Sequence, residues 1–344
     1  MNVATPPEGL TAKDYASDQE VRWCPGCGDY AILKAVHKTC ADLGLSRDRT
    51  VFVSGIGCAA RFPYYMSTYG FHTIHGRAPA IATGIKLANP ALDVWLISGD
   101  GDSLSIGGNH VLHVLRRNLD INFLLFNNEI YGLTKGQYSP TSQVGTRSPS
   151  TPRGSLDQPV SAALFALGCG ARFLARAIDT QQKHLQEVLK QAQAHRGTSF
   201  VEIFQNCIVY NDAAFGHFTE REVAQDRQIH VEHGKPLLFG TDRRKGLRLR
   251  SDGLGLEAMD LDASGLSEAD ILIHDRHNPV LANLLARMTP PDLPVALGVL
   301  LELEAPTYEA LVDADMESAT GSKLPMPVRC DVDALLRTGH TWSV

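Results

Sequence analysis

The chain has 344 residues, 44% of them hydrophobic and 20% charged, enough for one large domain or two. A net charge of −6 with no Lys/Arg run argues against a nucleic-acid surface. No stretch approaches 18 consecutive apolar residues, and residues 1–20 lack the basic patch and apolar core of a signal peptide, so a cytoplasmic protein with no membrane span is expected.

The patterned part opens with "VRWCPGCGDYAILKAV" at 21–36, where Cys24 and Cys27 stand at metal-ligand spacing. Five further cysteines lie at 40, 58, 169, 207 and 330. The odd number and irregular spacing argue against a disulfide framework and for metal ligands or buried thiols. "DYAILKAVHKTCADLGL" has apolar residues at 3–4 spacing and reads as a helix; "TVFVSG" reads as a short buried strand. "PAIATGIKLANP" is a helix between prolines, "DVWLISGDGD" a strand stopped by glycine, "SLSIGGNHVLHVLRRN" a helix and "INFLLFNN" another buried strand. After a polar loop come a helix in "PVSAALFALG", a strand in "ARFLARA", an amphipathic helix in "TQQKHLQEVLKQAQAHR" and a strand in "SFVEIFQNC".

The strands are near-continuous apolar runs, as expected where helices cover both faces of a sheet. The fold class is therefore α/β, a doubly wound, mostly parallel sheet over about 15–217. From 218 to 344 the chain is polar and turn-rich and reads as an extension that wraps the sheet or meets a partner. Within it, "ILIHDRHNP" (271–279) mixes His and Asp but reads as a strand-to-loop surface segment rather than a metal site.

"LISGDGDS" places Asp100 just past the carboxyl end of a buried strand, where open α/β sheets bind ligands. Gly99 and Gly101 allow close backbone approach. The following helix N-terminus suits a diphosphate, and a diphosphate calls for a hard cation such as Mg²⁺. Twenty-five residues lie between Gly101 and Asn127, room for one helix and one strand, so "FNNEIYGLTKGQ" returns to the same sheet edge. The Asn128 amide oxygen and a carbonyl near Ile130 then join Asp100 as metal ligands. The plainer reading is two ordinary strand-end turns rich in Gly and Asn.

Gly99-Asp100-Gly101 followed by Asn127-Asn128 resembles the thiamine-diphosphate (TPP) and Mg²⁺ motif. With "WCPGCGDYAIL", "SGIGC", "HTIHGRAPAIATGIKLANP" and "NNEIYGLTKGQYSPTS", the chain over about 15–217 resembles the beta subunit of 2-oxoacid:ferredoxin oxidoreductases, the 2-oxoglutarate branch most of all. The resemblance implies oxidative decarboxylation of a 2-oxo acid with coenzyme A, or the reverse reductive carboxylation. Electrons would pass through one [4Fe–4S] cluster to ferredoxin. It implies that Cys58 and Cys207 complete the cluster ligands begun by Cys24 and Cys27; both follow apolar strands at the edge that carries Asp100. On the residues alone, Cys₄ zinc, unliganded thiols and, less readily, a redox dithiol at Cys24/Cys27 remain open. Cys40, Cys169 and Cys330 read as small buried residues.

The resemblance further implies a TPP pocket of Ile56, Gly57, Cys58, His75, Gly99, Asp100, Gly101, Asp102, Asn128, Leu133 and Thr134. His75 and Leu133 would stand at the reacting centre, with Arg61 and Lys135 on the substrate. Some relatives carry a polar residue in place of Leu133, so the pocket differs locally. The carboxylate that activates TPP lies, in the family, on a pyrimidine-type domain of a separate alpha subunit. The chain is thus expected to be half of an (αβ)₂ enzyme. Pyruvate or a broad range of 2-oxo acids, a TPP decarboxylase or synthase without a cluster, and a zinc-stapled non-enzymatic subunit are the competing readings.

Overall fold

The computed structural model describes residues 9–320. The first half alternates α1 (Asp29–Leu43), β1 (Thr50–Ser54), β2 (Tyr69–His72), α2 (Ala78–Ala88), β3 (Asp93–Gly99), α3 (Asp100–Leu104), α4 (Gly108–Arg117) and β4 (Ile121–Asn127). A two-stranded hairpin, β5 (Ile130–Tyr131) and β6 (Gln137–Tyr138), leads to α5 (Ala162–Gly168), β7 (Phe173–Ile178), α6 (Gln182–Ala194) and β8 (Thr198–Phe204). Beyond these lie α7 (Gly216–Thr219), α8 (Arg221–Arg227) and β9 (Gln228–His230). A small antiparallel sheet of β10 (Leu238–Phe239), β11 (Lys245–Leu249) and β12 (Leu256–Asp260) follows. The last elements are α9 (Leu261–Ser264), α10 (Pro279–Ala286), β13 (Val295–Glu302) and α11 (Tyr308–Thr320).

The main sheet runs in the order β2-β1-β3-β4-β8-β7-β13-β9, with every neighbouring pair parallel except β13 against β7. Strand side chains alternate between two cores. Val51, Val53, Val94, Leu96, Ile121 and Phe123 pack with α2, α4 and α5, while Phe52, Trp95, Ile97, Leu124 and Phe126 pack with α1 and α6. Burying each such side chain contributes about 1.5–3 kcal/mol, which is why strands buried on both faces must be apolar throughout.

Helix ends follow local chemistry. Gly44 closes α1 at φ 61°, its N–H capping the Ala41 and Cys40 carbonyls. Asn118 closes α4 at φ 54°, and its side-chain oxygen then accepts from Thr198 N–H. The single helix expected across "SLSIGGNHVLHVLRRN" is instead two. It starts earlier, at Asp100, and breaks at Ser105 before resuming at Gly108. The break lets the Gly76 backbone approach: a Cβ on Gly76 would lie 2.4 Å from Gly107 N, so both positions require glycine.

The sheet also runs across the composition boundary at 217/218. "VALGVLLE" is buried over nearly its whole length as β13 and lies against the outer edge of β7, where unpaired backbone groups would otherwise face solvent. Among the described residues no helix is long and apolar enough to cross a membrane.

Candidate active site and thiol cavity

Parallel strands deliver their carboxyl ends to one edge, and β1 and β3 diverge there because β1 continues outward to β2 and β3 inward to β4. A cavity of about 580 Å³ opens at this switch point. The β1 end supplies Ile56, Gly57 and Cys58, and the loop after β2 supplies His75. The β3 end gives Gly99, Asp100, Gly101 and Asp102, and the β4 turn gives Asn128, Ile130, Leu133 and Thr134. Residues up to 78 positions apart in sequence thus share one concave surface.

Asp100 is buried, and the Ser139 and Thr141 hydroxyls both donate to its Oδ2 at 2.5 Å. No side chain donates to Oδ1 among the described residues. Burial pushes the Asp100 carboxyl upward, against the two hydroxyls that pull it down. Backbone N–H groups of Gly101 and Asn128 also pull it down. Asn128 donates to Gln205 Oε1 at 2.7 Å and accepts from Ile130 N–H at 3.2 Å, so its amide is fixed. Asp100, Asn128 and the Ile130 carbonyl form an all-oxygen donor set that suits Mg²⁺, with phosphate and water oxygens to fill the shell.

Behind Asp100 a polar chain runs inward. Thr141 contacts Asn127 Oδ1 at 3.2 Å, Asn127 donates to Glu202 at 2.9 Å, and Arg176 donates to Glu202 at 2.8 Å. The sequence reading missed Ser139, Thr141 and this ion pair. "YSPTS" carried the first two in plain view, but a run of hydroxyls in a loop reads as ordinary turn chemistry.

Asp102 organises the loops. Its Oδ1 accepts from Gly76 N–H at 2.8 Å and Ile56 N–H at 3.3 Å, and its Oδ2 from Ser98 at 2.7 Å. His75 Nδ1 lies 3.8 Å from Asp102 Oδ1, and the rest of the exposed ring faces the cavity. Gly101 serves a protein contact: a Cβ there would lie 2.3 Å from the Tyr131 ring, whose hydroxyl donates to Gly101 O at 3.0 Å. The helix dipole expected at the diphosphate site is confined to the five residues of α3.

A second cavity, about 170 Å³, adjoins the first and is lined by Cys24, Cys27, Cys58 and Cys207. Cys24 and Cys27 share a turn closed by Cys27 N–H to Cys24 O at 3.0 Å. Cys58 heads the 3₁₀ turn Ala59–Tyr65, and Trp23 Nε1 donates to its carbonyl at 2.8 Å. Cys207 follows β8 and pairs with Asn211. Burial pushes the Cys58 thiol up to about 12 and the Cys27 thiol higher still, with the buried Asp29 beside them adding to both. A tetrahedral zinc holds its sulfurs about 2.3 Å away. Among the described residues no three His, Cys, Asp or Glu side chains converge closely enough to hold one ion. The four thiols line one cavity without converging on a single point.

The two cavities share Cys58, Gly132 and Leu133 as lining. A Cβ on Gly132 would lie 3.5 Å from both the Cys58 and Cys207 sulfurs. Arg61 lines the thiol cavity rather than the larger one and donates to Tyr65 at 3.1 Å. Lys135 stands on the exposed hairpin turn at φ 77° and lines neither. Cys40 and Cys169 are buried in the two cores, and Cys330 lies outside the described residues. The segment 271–279 is less superficial than expected. Ile271 and His274 are buried, and His274 Nε2 bonds Val299 O at 2.9 Å, because β13 lies beneath them.

Residues 55–203 match the family described as thiamine pyrophosphate enzyme, C-terminal TPP binding domain. The chain is 46% identical over 346 residues to 2-oxoglutarate oxidoreductase subunit KorB of Mycobacterium tuberculosis, covering 99% of this chain and 91% of the relative. It is 40% identical over 230 residues to 2-oxoglutarate synthase subunit KorB of Methanothermobacter thermautotrophicus, covering 67% of this chain and 77% of that one. Its fold matches the solved 2-oxoglutarate:ferredoxin oxidoreductase from Magnetococcus marinus, which has 2-oxoglutarate, coenzyme A and succinyl-CoA bound. The TM-score is 0.75 at 32% identity, over 96% of both chains.

Proposed function

The chain belongs to the family of beta subunits of 2-oxoacid:ferredoxin oxidoreductases, of the 2-oxoglutarate type, and from that premise we propose that it binds TPP with Mg²⁺ and one [4Fe–4S] cluster in its two adjoining cavities. The enzyme converts 2-oxoglutarate and coenzyme A to succinyl-CoA and CO₂, with ferredoxin as the electron acceptor. The observation that carries this reading is the shared wall of Cys58, Gly132 and Leu133.

Asp100, Asn128 and the Ile130 carbonyl would hold Mg²⁺, with Ser139 and Thr141 fixing the Asp100 carboxylate through Oδ2. When bound, TPP would supply a nucleophilic carbon to add to the 2-oxo group and a cationic thiazolium ring as the electron sink for decarboxylation. The cluster supplies a one-electron acceptor. Cys24, Cys27, Cys58 and Cys207 are its ligands. Asp102 holds the β1 and His75 loops in register, which positions His75 to hydrogen-bond the substrate. Leu133 presents an apolar side chain that keeps water from the reacting centre. Arg61, at the thiol cavity, and Lys135, on the exposed hairpin turn, both lie outside the TPP cavity, so either meets the substrate only where 2-oxoglutarate extends past that cavity's wall.

Both carboxylates of this cavity, Asp100 and Asp102, are already engaged by protein donors. The group that activates the aminopyrimidine must therefore come from an alpha subunit with the pyrimidine-type domain, in an (αβ)₂ assembly. Ile106 and Leu133 are exposed and line the cavity, as an apolar seat for that subunit requires.

The test is 2-oxoglutarate- and coenzyme A-dependent reduction of a viologen dye, with and without the co-expressed alpha subunit. The complex is expected to be active with TPP and Mg²⁺ and this chain alone inactive. Release of CO₂ without dye reduction, or full activity of the isolated chain, contradicts the proposal.

A further inference from the structure

Gln205 follows the last residue of β8 and is 1% exposed. Its backbone N–H continues the sheet onto Asn127 O at 2.8 Å, which places its side chain between the β4 turn and the Cys24–Cys27 loop. The side-chain amide meets both. Oε1 accepts from Asn128 Nδ2 at 2.7 Å, while Nε2 donates to Asn206 O at 2.6 Å and to Cys27 Sγ at 3.3 Å. The orientation of the amide is fixed by this set. Reversed, it would set an oxygen against two acceptors and a nitrogen against a donor.

We propose that Gln205 is a positioning residue shared by the two centres, its oxygen fixing the Asn128 amide at the Mg²⁺–TPP site and its N–H bonding the Cys27 sulfur at the cluster. The inference rests on the ligand sets proposed above. Its physical basis is what hydrogen bonds around a ligand do. A donor to a ligating thiolate stabilises the more negative, reduced cluster and so raises its potential. An acceptor on the far side of a ligating amide holds that amide in one orientation, so that the metal does not pay for ordering it. Among the described residues no other side chain is hydrogen-bonded to both Asn128 and Cys27; Asn211 joins the same two centres differently, donating to the Asn128 carbonyl and pairing through its backbone with Cys207. A leucine of similar size at 205 would fill the space and supply neither bond.

The experiment uses the alpha–beta complex purified without oxygen, in the wild type and in Gln205→Leu and Gln205→Glu. Cluster potential is read from an EPR-monitored redox titration, and the Mg²⁺–TPP dissociation constant from tryptophan fluorescence or circular dichroism. Gln205→Leu is expected to lower the reduced-to-oxidised ratio at fixed potential about tenfold, equivalent to about −59 mV for a one-electron couple. It should also weaken Mg²⁺–TPP about tenfold. Gln205→Glu keeps an acceptor for Asn128 and removes the donor to sulfur, so its potential falls while its Mg²⁺–TPP affinity stays within about twofold of the wild type.

A wild-type potential or a wild-type affinity in Gln205→Leu overturns the shared role. If Gln205→Leu fails to assemble, Gln205→Glu decides, and an unchanged potential there overturns it equally. Iron and sulfide counted in the same samples report on the cluster itself, so failure of that reading is told apart from failure of the role given to Gln205.

Discussion

Thr141 and Ser139 donate to the same oxygen of Asp100, Oδ2, each at 2.5 Å. A loop 39 to 41 residues downstream therefore orients the buried carboxylate that is proposed to hold Mg²⁺. Thr141→Val keeps the shape and removes the hydroxyl. It should weaken Mg²⁺–TPP binding about tenfold, the low end of the usual cost of losing such a partner. Thr141→Ser should restore it. A titration of Mg²⁺ in the presence of TPP checks both, and unchanged affinity in Thr141→Val sinks the assignment.

The Arg176–Glu202 pair anchors the inner end of the same polar chain, with side chains 7% and 3% exposed. Arg176→Met strands the Glu202 charge in the interior and should destabilise the protein by about 3–5 kcal/mol. Replacing both members, Arg176→Met with Glu202→Gln, should recover much of that loss, since no buried charge then stands alone. Chemical denaturation of the wild type and the two variants checks the order, and an Arg176→Met variant as stable as the wild type contradicts it.

Much of this architecture can be read from residue patterns alone. Runs such as "TVFVSG" and "INFLLFNN" are strands because both faces of each are covered, and the sequence shows that directly. Asp100 and Asn128 are likewise visible as strand-end residues that meet at one sheet edge, while the cofactor proposed for them comes from the resemblance. The break between α3 and α4 is not visible, because its cause is Gly76, some thirty residues away. β13 was hidden by its polar surroundings and by pairing antiparallel with β7, which a parallel βαβ pattern does not anticipate. Gln205 escaped notice because its two side-chain partners lie 77 and 178 positions off, and no local signal marks an amide that bridges them.

His184 on α6 packs edge-on against His230 of β9, with ring centroids 4.6 Å apart. Burial, with His230 adding to it, lowers His184 to about 4, and burial also lowers His230. The folded state thus resists protonating His184 while the unfolded chain takes up a proton near 6.5. The sign follows: its contribution to stability is intact above about pH 6.5 and is lost as pH falls toward 4. His184→Gln should flatten the fall in melting temperature between pH 7 and pH 5. An equally steep fall in that variant rules His184 out as a source of acid lability.

The central claim is that four cysteines from three separated loops hold an iron–sulfur cluster beside the TPP cavity. Iron, acid-labile sulfide and zinc counted on the complex with its alpha subunit, purified without oxygen, test it most directly. About four irons and four sulfides per copy of this chain are expected, falling sharply in Cys58→Ser. About one zinc and no sulfide would contradict the account and leave a TPP site beside a structural metal.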